Sequence, residues 1–372
     1  MNSKHLRIGH IAGIPISLDY SWFLIFFLMT WSLGASYFPA RFPGWKPWEY
    51  WGLAGLATVL LFVSVLLHEL GHATMARHYR IPVREITLFI FGGVAQIQEE
   101  PKSAWSEFWI AVAGPLVNLL LGLLFYALTV AAGGISQLHA IFGYLSYVNF
   151  SLFAFNLIPG FPLDGGRVLR AILWGASKDT SRATIIAANV GRFIAYAFIA
   201  WGLVMVLHGN YYDGIWMAFI GWFLESAAIA QVQQQRLHDI LKRYRVIQAM
   251  TRHLTMISAD TPLDRLVHDH LLSSGKRAYV VQRNGIPIGM LTIHQLKNVP
   301  KERWATTTVE QVMIPMEEVR TISPEDDLWK ALSAMDRDGV NQLLVVDQGE
   351  VIGMLSREDV VSFLRTLNDQ GV

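Results

Sequence analysis

The chain has 372 residues and a formal net charge of +1, so its charge gives no indication of nucleic acid as a partner. It contains no cysteine, which excludes disulfide bonds and cysteine catalysis and leaves histidine and carboxylate side chains as metal ligands. Only 16% of the residues are charged, against about 25% in ordinary soluble domains. Because the apolar sequence is concentrated between Ser21 and Gln231, we expect a membrane domain followed by a soluble one.

Six segments are predicted to cross a membrane as helices, since each approaches the ~20 mostly apolar residues that a bilayer core requires. In chain order they are Tyr20–Phe38, Trp51–Met75, Trp105–Val130, Leu138–Ile158, Asn189–Leu207 and Gly214–Ala230. Most arginine and lysine residues of the connecting segments lie on one side of these spans. Positive charge is typical of cytoplasmic segments, so both termini and the whole tail are expected to be cytoplasmic.

The segment Val83–Glu100, between the second and third spans, is rich in β-branched and aromatic residues and is interrupted by Gly92 and Gly93. This pattern predicts two short strands joined by a turn. The hairpin has two interpretations. It either only connects the spans, or it offers an edge strand that binds an extended substrate by strand addition, with Gly92 and Gly93 as substrate-binding residues.

The second span contains His68-Glu69-Leu70-Gly71-His72, an H-E-x-x-H pattern. In a helix, His68 and His72 lie about 40° apart on one face, so both imidazoles are able to bind one Zn²⁺. Glu69 is offset from them and is suited to act as general base and then as proton donor to the leaving amine. Short ionisable side chains inside a span favour a metal site over charges at a helix exit.

A third ligand is needed, and two residues are candidates. His78 has the spacing of the third ligand in longer H-E-x-x-H motifs, but Met75 stands where those motifs have glycine. Asp164 lies in Asn156–Arg170, where prolines and glycines break the fourth span, and such breaks are tolerated only beside a cavity or within protein. Asp164 also suits a helix N-cap, a role that is compatible with metal binding.

Three motifs in this order resemble the site-2 protease family of intramembrane metalloproteases, over about residues 1–230. They are His68–His72 in the second span, Ala113–Asn118 in the third and Asn156–Gly165 at the end of the fourth. The resemblance implies one zinc ion per chain, with the ligands His68, His72 and Asp164. It also implies Glu69 as catalytic base, Asn156 as a catalytic hydrogen-bond donor, and a single-span membrane protein as substrate.

The tail contains an internal repeat, in which Ala249-Met250 aligns with Val312-Met313 and Gly289–Thr292 aligns with Gly353–Ser356. Two such units resemble a CBS-domain pair. That resemblance implies an adenine nucleotide as a ligand and a homodimer formed through the pair. A dimerisation module without a ligand is the alternative.

The segment Gly353–Asp359 matches the nucleotide motif of CBS domains. The match implies that Asp359 binds ribose hydroxyls and that Ser356 binds a phosphate. In the first repeat Gln295 occupies the aspartate position, which weakens the case for a site there.

We therefore predict a polytopic α-helical membrane domain, with six transmembrane helices and a short β-hairpin, followed by a soluble α+β CBS-domain pair. The predicted boundaries are 1–231 for the metalloprotease domain, 232–245 for a linker, and 246–303 and 304–372 for the repeats. The expected activity is zinc-dependent endoproteolysis of transmembrane segments in the plasma membrane, regulated by adenine nucleotide. Two alternatives are a CBS-tailed transporter or channel, because intramembrane polar residues also mark ion paths, and an inactive protease that senses nucleotide.

Overall fold

A computed structural model describes residues 5–90, 92–97, 99–271 and 277–369. The chain forms two compact units, Met1–Arg236 and Leu237–Val372. Phe91 and Gln98 of the predicted hairpin lie outside the described residues. The predicted domain boundaries stay a prediction.

Among the described residues, six helices are long and apolar enough to cross a membrane, in agreement with the predicted number of spans. The first is Ser21–Arg41, which consists of α1 (Ser21–Ser32), a π-helical turn and α2 (Phe38–Arg41). The others are α3 (Pro47–His78), α4 (Ala104–Ala131), α5 (Ser136–Asn156), α7 (Thr180–Leu207) and α8 (Tyr211–Arg243). α3 begins earlier than predicted because Pro47 suits the first helical position and Glu49 accepts a hydrogen bond from the Lys46 N–H.

A four-stranded sheet accompanies these helices, so the β-structure is larger than the single hairpin predicted. Its order is β1 (His5–Ile11), β2 (Ile14–Asp19), β3 (Val83–Phe89) and β4 (Gly92–Ile97). The expected hairpin is β3–β4, and β2 pairs in parallel with β3 through Ile16 and Ile86. The N-terminal hairpin β1–β2, which turns at Ala12 and Gly13 with positive φ, was not predicted. β4 is therefore one edge of the sheet.

The broken end of the fourth span is a loop followed by a separate helix, α6 (Asp164–Ser177). Leu163 occupies the N-cap position of α6 and Asp164 is its first residue, so the capping role considered for Asp164 is wrong. Gly165 and Gly166 are buried, and a Cβ on either one would collide with the backbone of the preceding loop. The glycines therefore let α6 fold back tightly on the loop that introduces it.

The second unit is an α+β structure with two sheets. The strands are β5 (Met256–Ser258), β6 (Ala278–Arg283), β7 (Ile286–Thr292), β8 (Ile314–Pro315), β9 (Thr321–Ile322), β10 (Gln342–Asp347) and β11 (Glu350–Ser356). The helices are α9 (Val246–Ala249), α10 (Leu263–Arg265), α11 (Ile293–Lys297), α12 (Leu328–Asp338) and α13 (Arg357–Asp369). The sheet orders are β5-β6-β7-β8 and β11-β10-β9.

The two repeats exchange equivalent segments. Met313 of the second repeat lies against Gly289 of the first, and Met250 of the first lies against Gly353 of the second. A side chain at either glycine would collide with these neighbours. The aligned Met and Gly positions of the sequence repeat are thus the contacts through which each repeat completes the other.

Candidate metal centre

Helix α3 presents two imidazoles to the interior of the first unit. His68 and His72 are 6% and 5% exposed, and their Nε2 atoms are 3.1 Å apart. Nδ1 of His72 lies 2.6 Å from the backbone oxygen of Ile110 on α4. Because a carbonyl oxygen only accepts, Nδ1 of His72 carries a proton, and Nε2 of the neutral ring has a lone pair available for a metal.

Asp164 completes a triangle of possible ligand atoms. Its Oδ2 lies 3.2 Å from Nε2 of His68 and 3.2 Å from Nε2 of His72. Tetrahedral Zn²⁺ with ligand bonds of about 2.0–2.2 Å separates its ligand atoms by about 3.3–3.6 Å. The three residues therefore fit a single zinc ion with little rearrangement, and a set of two histidines and one carboxylate leaves a fourth position open, as catalytic zinc sites do.

His78, the other candidate ligand, does not join this cluster. It is the exposed last residue of α3, and its ring packs against Tyr79 with centroids 5.4 Å apart. The choice between His78 and Asp164 depends on which elements meet in space, and the geometry favours Asp164.

Gly114 on α4 allows the imidazoles to occupy this position. A Cβ on Gly114 would lie 2.8 Å from Cε1 of His68 and would collide with the ring of His72. Gly71 on α3 is equally constrained, since its Cβ would lie 2.9 Å from the backbone oxygen of Ala113. Small residues on both helices thus bring α3 and α4 into close contact around the cluster.

Glu69 faces the sheet. Its Oε2 accepts a hydrogen bond of 3.1 Å from the backbone N–H of Ala95 on β4, and a Cβ on Gly93 would lie 3.1 Å from its carboxyl carbon. Alternate residues of an antiparallel edge strand direct their backbone groups away from the partner strand. Ala95 is such a residue, because its N–H donates to Glu69, so this edge of β4 lies beside Glu69, next to the metal ligands.

Two further predicted site residues are placed at the borders of elements. Gly92 begins β4 with a φ of 129°, which favours glycine. Asn156 is the half-buried last residue of α5, at the start of the loop that leads to Asp164. The roles of Gly92 in substrate binding and of Asn156 in hydrogen bonding stay predictions.

Sequence reasoning missed two contacts around the cluster. One is the hydrogen bond that Nδ1–H of His72 donates to the backbone oxygen of Ile110. It has no sequence signal, because the acceptor is a backbone atom. The other is a buried ion pair between Glu107 on α4 and Arg170 on α6. A carboxylate inside the apolar third span was a signal for it.

The second unit contains a separate candidate site, a cavity of about 180 Å³ between the two repeats. Its lining includes Thr251, His253, Arg277, Ser356 and Asp359. Oδ1 of Asp359 accepts a hydrogen bond of 3.1 Å from the Thr251 hydroxyl, and Oδ2 accepts one of 2.6 Å from the Ser356 hydroxyl. A phosphate contact by Ser356 would require that hydroxyl to release Asp359.

In the first repeat, the equivalent pair is Thr292 and Gln295, and the Thr292 hydroxyl donates a hydrogen bond to the Gln295 side chain. The side-chain arrangement is the same, but a neutral amide stands where the second repeat has a carboxylate.

Comparison with known proteins agrees with both units. The model of peptidase family M50 matches residues 56–135 and 131–198, and the CBS-domain model matches residues 245–302 and 309–366. Rip3 of Mycobacterium tuberculosis is 34% identical over 364 residues, which cover 96% of this chain and 92% of that protein. A Synechocystis protein is 32% identical over 370 residues, with coverage of 98% and 96%. Both are named provisionally as zinc metalloproteases.

Among solved structures, a site-2 protease from Methanocaldococcus jannaschii is 32% identical. The match covers 61% of this chain and 95% of that chain, with a TM-score of 0.43.

The ligand triangle predicts distinct effects of alanine substitution on metal binding. His68→Ala, His72→Ala and Asp164→Ala should each weaken zinc binding by more than the ~10–100-fold typical of residues that only support a ligand. His78→Ala is the matched control and should bind zinc like the wild type. Chelator competition with purified full-length protein measures these affinities. Zinc binding that survives Asp164→Ala but is lost in His78→Ala would contradict the assignment.

Proposed function

The chain belongs to peptidase family M50, the family of the site-2 proteases, and carries a CBS-domain pair, and from this membership we propose that it cleaves transmembrane segments of membrane proteins. The observation that carries the proposal is the position of Glu69, beside a three-ligand metal cluster and within a membrane-spanning helix. A transporter needs ligands inside the membrane but no carboxylate poised next to them. The arrangement therefore supports hydrolysis over transport.

The proposed zinc ligands are His68, His72 and Asp164. Zinc bound there would polarise the scissile carbonyl and lower the pKa of a water molecule. The Glu69 carboxylate accepts the proton of the attacking water and then delivers it to the nitrogen of the leaving amine. Asn156, at the end of α5, donates a hydrogen bond to the substrate or the oxyanion. His72 is kept in the required tautomer by Ile110.

Substrate recognition is proposed to occur at the open edge of β4. A transmembrane helix hides its peptide groups in internal hydrogen bonds, so it must unwind before cleavage. An unwound segment paired with β4 satisfies its backbone groups again. The Ala95 N–H on this edge donates to Glu69, so a paired segment would take over that N–H and lie beside the proposed base. Strand addition at this edge therefore delivers an extended peptide to the proposed base.

Glu69→Gln should lower cleavage of a model single-span substrate by about 10²–10⁴-fold, since the amide cannot accept the proton. Zinc affinity should stay near that of the wild type, because Glu69 is outside the ligand triangle. Cleavage and zinc content are measured on the same preparation, and Glu99→Gln, at an exposed position after β4, is the control. Full cleavage by Glu69→Gln would reject this mechanism, and zinc binding without any proteolysis by the wild type would favour transport.

The edge-strand proposal is testable by disulfide crosslinking, because the chain has no cysteine of its own. In the Glu69→Gln background, Val94→Cys should crosslink to a cysteine near the substrate cleavage site. Leu6→Cys, equally exposed but on β1 at the opposite edge of the sheet, is the matched control and should not crosslink. Crosslinking from position 6 and not from position 94 would place the substrate elsewhere.

The tail is proposed to lie in the cytoplasm of a plasma membrane and to regulate the protease by binding an adenine nucleotide. Six spans and the distribution of arginine and lysine support this orientation. The cavity between the repeats supports the ligand, since Asp359 offers a carboxylate for ribose hydroxyls and Arg277 offers a positive charge for phosphate. A homodimer formed through the CBS pair is part of the same proposal.

Asp359→Asn should weaken adenine nucleotide binding by about 10-fold or more, because a hydrogen bond to a charged group is worth about 1.5–3 kcal/mol. Gln295→Ala, at the equivalent position of the first repeat, is the control and should have no effect. The readout is thermal stabilisation of the full-length protein by AMP, ADP and ATP. Absence of stabilisation in the wild type by all three would reject nucleotide binding.

In sealed vesicles, nucleotide should alter cleavage only when the cytoplasmic face is outward.

A further inference from the structure

The ion pair between Glu107 and Arg170 connects the two helices that frame the third metal ligand. Glu107 lies on α4 and is 1% exposed, and both Nε and Nη2 of Arg170 contact its Oε1. Arg170 lies on α6, the helix that begins with Asp164. Its guanidinium also sits 5.5 Å from the ring centroid of Phe161, in the loop before Asp164. Arg170 thus contacts the loop that precedes Asp164 and tethers α6, the helix that begins with Asp164.

Helix α4 also contacts the other two ligands, through the same face. Residues 107, 110 and 114 are three and four positions apart and so form one stripe on α4. Ile110 accepts the hydrogen bond of His72, and Gly114 lies against the rings of His68 and His72. Glu107 extends this stripe by one turn to Arg170. One face of α4 therefore sets the positions of ligands from both α3 and α6.

Glu107 is outside the His68, His72 and Asp164 cluster of ligand atoms, so it has no direct role in binding the ion. Its burial beside Arg170 is costly unless both charges stay paired, which gives the contact one defined geometry. We propose that the Glu107–Arg170 ion pair is a positioning device that holds Asp164 against His68 and His72 and thereby sets the zinc affinity of the site. The proposal rests on the proposed metal site and adds residues that do not bind the metal.

The test is zinc affinity of full-length protein in detergent, by chelator competition with zinc alone as the probe. Glu107→Gln and Arg170→Gln should each weaken zinc binding by about 10–100-fold, the range for residues that orient metal ligands. Arg170→Lys keeps the charge but not the two-pronged contact, so its affinity should be intermediate. Arg182→Gln removes an arginine that is 81% exposed and paired with Asp179, and as the control it should bind zinc normally.

A single variant leaves one buried charge unpaired and is at risk of misfolding, so the double variant Glu107→Gln/Arg170→Gln is decisive. It has no unpaired charge. Because each of the two substitutions removes the same ion pair, the double variant should lose about as much zinc affinity as the single variant with the lower affinity. Saturating zinc should restore cleavage in Glu107→Gln but not in Glu69→Gln, a difference that general loss of structure does not produce.

Wild-type zinc affinity in the folded double variant would overturn the positioning role while leaving the protease proposal intact. Absence of zinc binding in the wild type would instead overturn both, and the two failures are therefore distinguishable.

Discussion

An ionisable side chain inside a membrane span is stable only with a partner, and α3 carries His68, Glu69 and His72 within five consecutive residues. An unpaired charge at the centre of a span costs about 2.5–3.5 kcal/mol on insertion scales. The fold provides partners from other elements: Asp164 for the two imidazoles, and the Ala95 N–H for Glu69. The contacts that make these groups tolerable are the same contacts that assemble a ligand set and a neighbouring base.

Close helix packing is the condition for those partners to reach α3. Glycine stands at positions 71 and 114, where any side chain would meet the facing helix or the imidazoles. At positions 165 and 166, glycine lets α6 turn back on its own loop, which places Asp164 beside α3. Glycine does not bind the metal, yet at these positions it determines the distance between ligands that come from different helices.

The sequence was sufficient to predict features that are local. The number of spans, the H-E-x-x-H helix and the β3–β4 hairpin follow from composition and spacing, and the repeat in the tail follows from its aligned glycines. It was insufficient where distant segments meet. The β1–β2 hairpin escaped prediction because it is short, and its pairing partner, β3, lies about 70 residues further along the chain. Met75 in place of a glycine counted against His78, and the family resemblance implied Asp164, but only the tertiary packing shows which of the two meets the imidazoles of α3.

The same distinction explains why the supporting contacts of the metal centre were not predicted from the sequence. Ile110 acts through a backbone oxygen, and Glu107 acts through an arginine on another helix. The proposed ligands lie on α3 and α6, and the chain between them includes β3, β4, α4 and α5. A metal ion bound to both helices would close that whole segment into one loop, so its affinity depends on how accurately every intervening element is packed. Substitutions of α4 residues that contact no ligand are consequently expected to change the metal affinity. Helix α4 is therefore as much a part of the centre as the helices that bind the ion.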